Sequence, residues 1–206
     1  MGRPSNRERI LREGLRVVLE RGYCGASVRD IVQAAGVPQG SFTNHFTSKE
    51  AFGLEVLDVY FTMVRENIAR TLANESLEPI QRLRAWIDLQ IDFLQQAGMR
   101  NGCLIGNFSV EAIDSSELIR SRLERILDDI HKAVASCLKA AVEAGDLPAS
   151  ADCEDLAKYL YASLQGAISQ SKVEQSPAPI ERFKRILFTT ILSNRGHRKR
   201  TRNDSL

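Results

Sequence analysis

Two groups of residues in this chain have types and spacing suited to chemistry. The first is Gln39, Gly40, Ser41, Thr43, Asn44 and His45, with Lys49 four residues further on. Short amides, hydroxyls and an imidazole on one short helix can meet the donor and acceptor edges of a DNA major groove and the phosphates beside it. Gly40 removes a side chain where a backbone must come close. Lys49 falls in the first turn of the next helix, where free amides and the dipole favour an anion such as phosphate, and Ser27 has the same place at an earlier helix start. The second group centres on Cys103, which directly follows the turn pair Asn101-Gly102. At a helix start the positive dipole end favours a thiolate, the form that attacks electrophiles and enters the oxidation ladder at a reversible step.

The other three cysteines are weaker candidates. Cys137 shares a helical stripe with Ile130, Val134, Leu138 and Ala141 and reads as core. Cys24 is expected to pack in a turn. Cys153 also begins a helix, but Glu154 and Asp155 beside it should raise its pKa. The four form no C-x-x-C pair, and none lies three or four residues from a histidine, so no metal site or cofactor is expected. An all-helical thiol enzyme would want that pair and that histidine. The chain is therefore read as a binding protein rather than an enzyme.

The elements that must position these residues are helical throughout, so the fold class is all-α. Ile10, Leu11, Leu15, Val18 and Leu19 form an apolar stripe that Gly22 ends. A second helix covers about 27–35, with Ser27 and Asp30 as a capping box and Gly36 as its left-handed end. Pro38 opens a third helix ending near His45. Thr47 and Glu50 read as the capping box of a long fourth helix to about Leu72. Further helices are expected over 79–97, 103–113, 116–145, 152–175 and 178–194. Two short helices joined by A-A-G-V make a helix-turn-helix, with Val28, Ile31, Val32, Val37, Phe42 and Phe46 as its core. The chain divides into a DNA-binding head (1–48), a helical sensor and dimerisation body (49–194, with a connecting helix 48–72) and a basic tail (195–206). Trp86 reads as core, and His131 as a partly exposed helix residue.

Charge agrees with this division. Residues 1–50 carry +3, residues 51–194 carry −5 and the last twelve carry +4, for a net +2. Basic ends around an acidic middle suit a polyanion partner at the ends. An architectural DNA coat would carry more positive charge and no large acidic body. No apolar run reaches 18 residues and no secretory signal is evident, so no membrane association and a cytoplasmic location are expected.

The stretch SVRDIVQAAGVPQGSFTNHFTSKEAF resembles the N-terminal domain of the TetR-type repressors over about residues 8–60. The resemblance implies a homodimer bound to a palindromic double-stranded operator and released when the body senses an inducer. By position it implies phosphate or base contacts for Ser27, Gln39, Ser41, Asn44, His45 and Lys49, with Gly40 and Thr43 close to the bases. Pro38 stands where a serine usually caps the third helix, and Thr43 replaces the usual tyrosine. Its last two helices, which carry Leu156, Leu160, Leu164, Ala167 and Ile168, then Ile180, Phe183, Leu187 and Ile191, are implied to pair with their copies. Two further stretches, NGCLIGNFSVEAIDSSELIRS and LYASLQGAISQSK, resemble the NemR (N-ethylmaleimide-responsive) branch. That resemblance implies a small electrophile or oxidant as inducer, Cys103 as its target and Lys172 as its partner. The alternative inducer is an apolar molecule bound reversibly.

Overall fold

The computed structural model describes residues 5–114 and 116–193; the basic tail lies outside them. The first two helices of the head start where the sequence offers their first amides an acceptor. Helix α1 (Asn6–Arg21) is capped by Ser5, with Glu8 returning the bond. Helix α2 (Val28–Ala35) has the expected Ser27–Asp30 box and stops at Gly36, whose φ of 60° suits a residue without a Cβ. Helix α3 (Gly40–His45) has no side-chain cap, and Pro38 lies just outside it.

Helix α4 (Lys49–Arg70) corrects one expectation. Its cap is Ser48, which accepts from the Ala51 amide, and not Thr47. Glu50 is engaged elsewhere: it accepts from the hydroxyl of Ser116, the residue that caps α7 (Glu117–Glu143). The body is completed by α5 (Pro79–Gln96), α6 (Leu104–Glu111), α8 (Cys153–Glu174) and α9 (Ala178–Ile186). The last expected helix is not uniform. After Ile186 it widens into a π-helical turn over Leu187–Ile191, closed by the Leu192 amide on the Leu187 carbonyl at 2.8 Å. No strand occurs among the described residues.

Helix α4 belongs to both halves. Near its start, Phe52 is fully buried with its ring 5.4 Å from Phe42 and 5.3 Å from Phe46. Half-way along, Tyr60 and Phe61 enter the body core with Leu83, Ile87, Phe108 and Ile126. Burying each such ring or branched side chain contributes about 1.5–3 kcal/mol. The Arg122–Asp58 ion pair that also ties α7 to α4 at 2.6 Å is partly exposed. Such pairs contribute about 0–1 kcal/mol, so apolar packing decides how α4 sits.

Candidate functional site

In the head, the two apolar anchors of α3, Phe42 and Phe46, face inward, with ring centroids 5.2 Å apart. Gln39, Gly40, Thr43, Asn44 and His45 are left exposed on the opposite side. Ser41 departs from the group: it is buried, on the inward margin next to Phe42. The Thr43 hydroxyl donates to the Gly40 carbonyl at 3.1 Å and so is partly used by its own helix. Ser27 is exposed while its side chain caps α2. Lys49 is the first residue of α4, as expected, but its side chain is occupied. Its Nζ donates to the Cys24 carbonyl at 3.4 Å and lies 4.8 Å from the centre of the Tyr23 ring.

In the body, Cys103 is the cap residue of α6, one position outside the first turn expected for it, and it is buried. Sequence reading missed the two residues that surround its sulfur. The Tyr60 hydroxyl, from α4, donates to Cys103 Sγ at 3.9 Å. Tyr161, from α8, stands near it as well, close enough for the two groups to influence each other's charge. Both phenols are held well above the ordinary tyrosine range, first by burial and then by the negative charge a thiolate on Cys103 would carry. They are neutral donors at any ordinary pH. The sulfur thus ties the start of α6 to α4 and faces α8 across a cleft.

A cleft of about 340 Å³ opens on Cys103 between α6 and α8, lined also by Gly102, Asn107, Glu111, Gln165 and Lys172. Lys172 is exposed, and its stem passes Gly102 so closely that Lys172 Cδ would be 3.7 Å from a Cβ there. The structure therefore brings Cys103 and Lys172 to one opening. A second, apolar chamber of about 460 Å³ lies between α6, α7 and α8, lined by Ile105, Leu127, His131, Tyr161 and Ala162. His131 packs edge-on against Tyr161 with centroids 5.5 Å apart. Burial, and then the nearby Lys158 charge, lower its pKa against the opposing pull of Asp128. His131 therefore presents a neutral imidazole to the chamber.

The remaining thiols sort differently from their sequence reading in two respects. Cys137 is core, and burial pushes its pKa up to about 11. Cys153 is also raised, but burial is the first cause, and the carboxylates of Asp152 and Glu154 only add to it. Cys24 is exposed instead of packed, its Sγ donating to the Glu111 carbonyl at 3.3 Å. Among the described residues no group of three or more His, Cys, Asp or Glu could hold a metal ion, and no helix is long and apolar enough to cross a membrane.

Comparison with known proteins places both halves. Residues 10–56 match the family of bacterial regulatory proteins of the tetR type, and residues 79–187 match the tetracyclin repressor-like C-terminal domain. The HTH-type transcriptional repressor DhaR of Mycobacterium sp. (strain GP1) is 40% identical over 93% of this chain and 95% of its own length. The crystal structure of regulatory protein TetR from Rhodobacter sphaeroides superposes with a TM-score of 0.83 at 31% identity, covering 86% of this chain and 94% of that one. The reduced form of E. coli NemR does so with a TM-score of 0.78 at 29% identity, over 86% of this chain and 92% of that one. The chain belongs to the TetR family of bacterial transcriptional regulators, DNA-binding proteins built from a helix-turn-helix head and a helical body.

Proposed function

We propose that this regulator is a homodimeric repressor that holds a palindromic operator and releases it when a small electrophile or oxidant modifies Cys103. The observation that carries this reading is the placement of the sulfur. It belongs to the N-cap residue of α6, accepts from Tyr60 of α4, lies near Tyr161 of α8, and is reached through a cleft that Lys172 borders. Similarity to a repressor whose structure is described as a reduced form supports the choice of inducer. With an activated alkene, the sulfur–carbon bond forms as the π pair moves toward the carbonyl, and the adjacent carbon takes up the proton that the thiol lost. With a hypohalous acid, the thiol gives up two electrons to become a sulfenic acid while the oxidant is reduced to halide. Lys172 supplies a cation beside the thiolate and a donor to the incoming carbonyl.

In the head, Gln39 and Asn44 are the base-reading residues, helped by His45, Thr43 and the open backbone at Gly40. Ser27 and Lys49 hold phosphates, and buried Ser41 contributes least. Replacing Gln39 or Asn44 with alanine is expected to change the ranking of operator variants by about 1–3 kcal/mol per contact. Lys49→Ala is expected to weaken all sequences alike and to flatten the salt dependence. A panel of single-base operator variants, titrated at two salt concentrations, checks the division. Identical behaviour of Gln39→Ala and Lys49→Ala would remove it. Footprinting tests the reading as a whole: a repressor protects one short palindrome, with half-sites about 34 Å apart.

The dimer surface differs in detail from the one expected. Leu160, Leu164, Ile168, Ile180 and Leu187 are buried within this chain's own core. The open face of α8 carries the small residues Ala162 and Gly166, which permit close helix approach as expected, beside Tyr159 and Val173, and the expected Ile191 is exposed on the last helix together with Ile186. A Cβ on Gly166 would meet nothing within 4 Å. Gly166→Leu should therefore leave the subunit folded yet obstruct close approach of a second α8. Sedimentation at micromolar concentration is expected to give a dimer for the natural chain and largely monomer for the variant.

A second reading has its own observation. The apolar chamber beside Tyr161 could take a reversible, uncharged inducer. A Cys103→Ser protein that is still released by such a molecule would favour it.

A further inference from the structure

Glu111 is the last residue of α6, and it touches the DNA-binding head directly. Its Oε2 accepts from the Cys24 amide at 2.9 Å, and its backbone carbonyl, at the end of α6, accepts from the Cys24 thiol at 3.3 Å. The other carboxylate oxygen lies against Gly22, where φ is +77° and a Cβ would stand 2.4 Å from Oε1. One turn earlier on α6, Phe108 stacks on Tyr23 with centroids 4.7 Å apart. On the far side of the same turn, Lys49 at the start of α4 holds Tyr23 and the Cys24 carbonyl. The Gly22–Cys24 turn, which joins α1 to α2, is thus gripped between two helices. The opposite end of α6 is Cys103, and Glu111 lines the same cleft.

We infer that Glu111 is a positioning residue: it clasps the turn between α1 and α2 at Cys24 and so transmits a displacement of α6 to the reading head without passing through α4. The identity of what displaces α6 rests on the reading of Cys103 above; the clasp rests on contacts of the free protein. Eight residues make α6 a lever about 12 Å long. The lever holds its load at Glu111, and three residues beyond Cys24 stands Ser27, the cap of α2. A shift at the Cys103 end therefore tilts the helix-turn-helix through its own first loop. An ordinary packing contact would tolerate such a shift, whereas two hydrogen bonds to one turn require the turn to follow or the bonds to break.

The test uses the full-length dimer carrying Cys24→Ser, which keeps the amide and removes the exposed thiol, with N-ethylmaleimide as the probe. That background is compared with the same protein carrying Glu111→Gln or Glu111→Ala. Operator affinity is read by fluorescence anisotropy before and after treatment, and amide hydrogen exchange is read over residues 22–26. Glu111→Ala is expected to speed exchange at position 24 and to reduce the maleimide-induced loss of affinity by about fivefold or more, with Cys103 still alkylated by mass mapping. Glu111→Gln, which keeps an acceptor oxygen, should retain most of the response. An unchanged response in Glu111→Ala overturns the inference, whatever its exchange. If maleimide fails to release even the background, the Cys103 reading fails on its own. The clasp is then decided by untreated protein: a change of about threefold or more in operator affinity for Glu111→Ala, absent in Glu111→Gln, sustains it, and no change overturns it.

Discussion

Replacing Cys103 with serine is expected to keep the protein on its operator under conditions that release the natural chain. Treated with N-ethylmaleimide, the natural protein should lose about 5- to 150-fold in operator affinity, the usual span of coupling between two sites. The serine variant should lose less than about twofold on the same scale. The physical reason is space around the sulfur. Cys103 is buried with the Tyr60 hydroxyl 3.9 Å away and Tyr161 nearby. A succinimide on Sγ must displace at least one phenol, and Tyr60 is part of the helix that carries the head. A displaced phenol, buried in an apolar site, also loses its hydrogen-bond partner, which costs about 1–3 kcal/mol. Exposed Cys24 will also label, so Cys24→Ser is the necessary control and should respond as the natural chain does. Cys137, with its pKa near 11, and buried Cys153 should label last. Release that persists in Cys103→Ser, or disappears in Cys24→Ser, would remove Cys103 as the sensor.

Phe52→Ala is expected to melt the head while leaving the body folded. Phe52 is wholly buried and its ring touches both anchors of α3. Emptying a site of that size costs about 3–5 kcal/mol. A small domain has only about 5–15 kcal/mol in total. Most buried side chains of the body, on α5, α7 and α8, belong to the same continuous core but not to this trio of rings, so the body is expected to survive its loss. Calorimetry should resolve a head transition shifted far below that of the body, and operator binding at the growth temperature should vanish although the protein still sediments as before. Phe52→Leu, which refills much of the volume, should recover most of the loss. A single unshifted transition in Phe52→Ala would show that the triad of rings is not what holds the head.

Much of this architecture was legible from residues a few positions apart. Ser27 with Asp30, Gly36 and the Phe42–Phe46 pair each act within one or two turns, and each is found as read. The errors have equally local causes. Thr47 and Ser48 are adjacent hydroxyls, and only the phase of α4 chooses between them. Ser41 was grouped with the polar face by its chemistry, yet its place beside Phe42 turns it inward. The resemblance implies that the helices carrying Leu160 and Leu164 pair with their copies, but apolarity does not tell which of their residues belong to the subunit core and which to the interface. The surroundings of Cys103 could not be read at all, since Tyr60 is 43 residues away along the chain and resembles any other core tyrosine. Glu111 carries no local signal, because its partner is a turn 87 residues away along the chain.

Trp86 gives the molecule a built-in optical label. It is the chain's only tryptophan, it is 2% exposed, and its Nε1 has no hydrogen-bond partner among the described residues. An indole kept dry with an unbonded N–H has little polar environment to relax its excited state, so its emission sits at the blue end. Because it stands on α5 and the head contains no other, that colour follows water entry into the body and is blind to the fate of the helix-turn-helix. The two halves can thus be followed separately by light without attaching any dye.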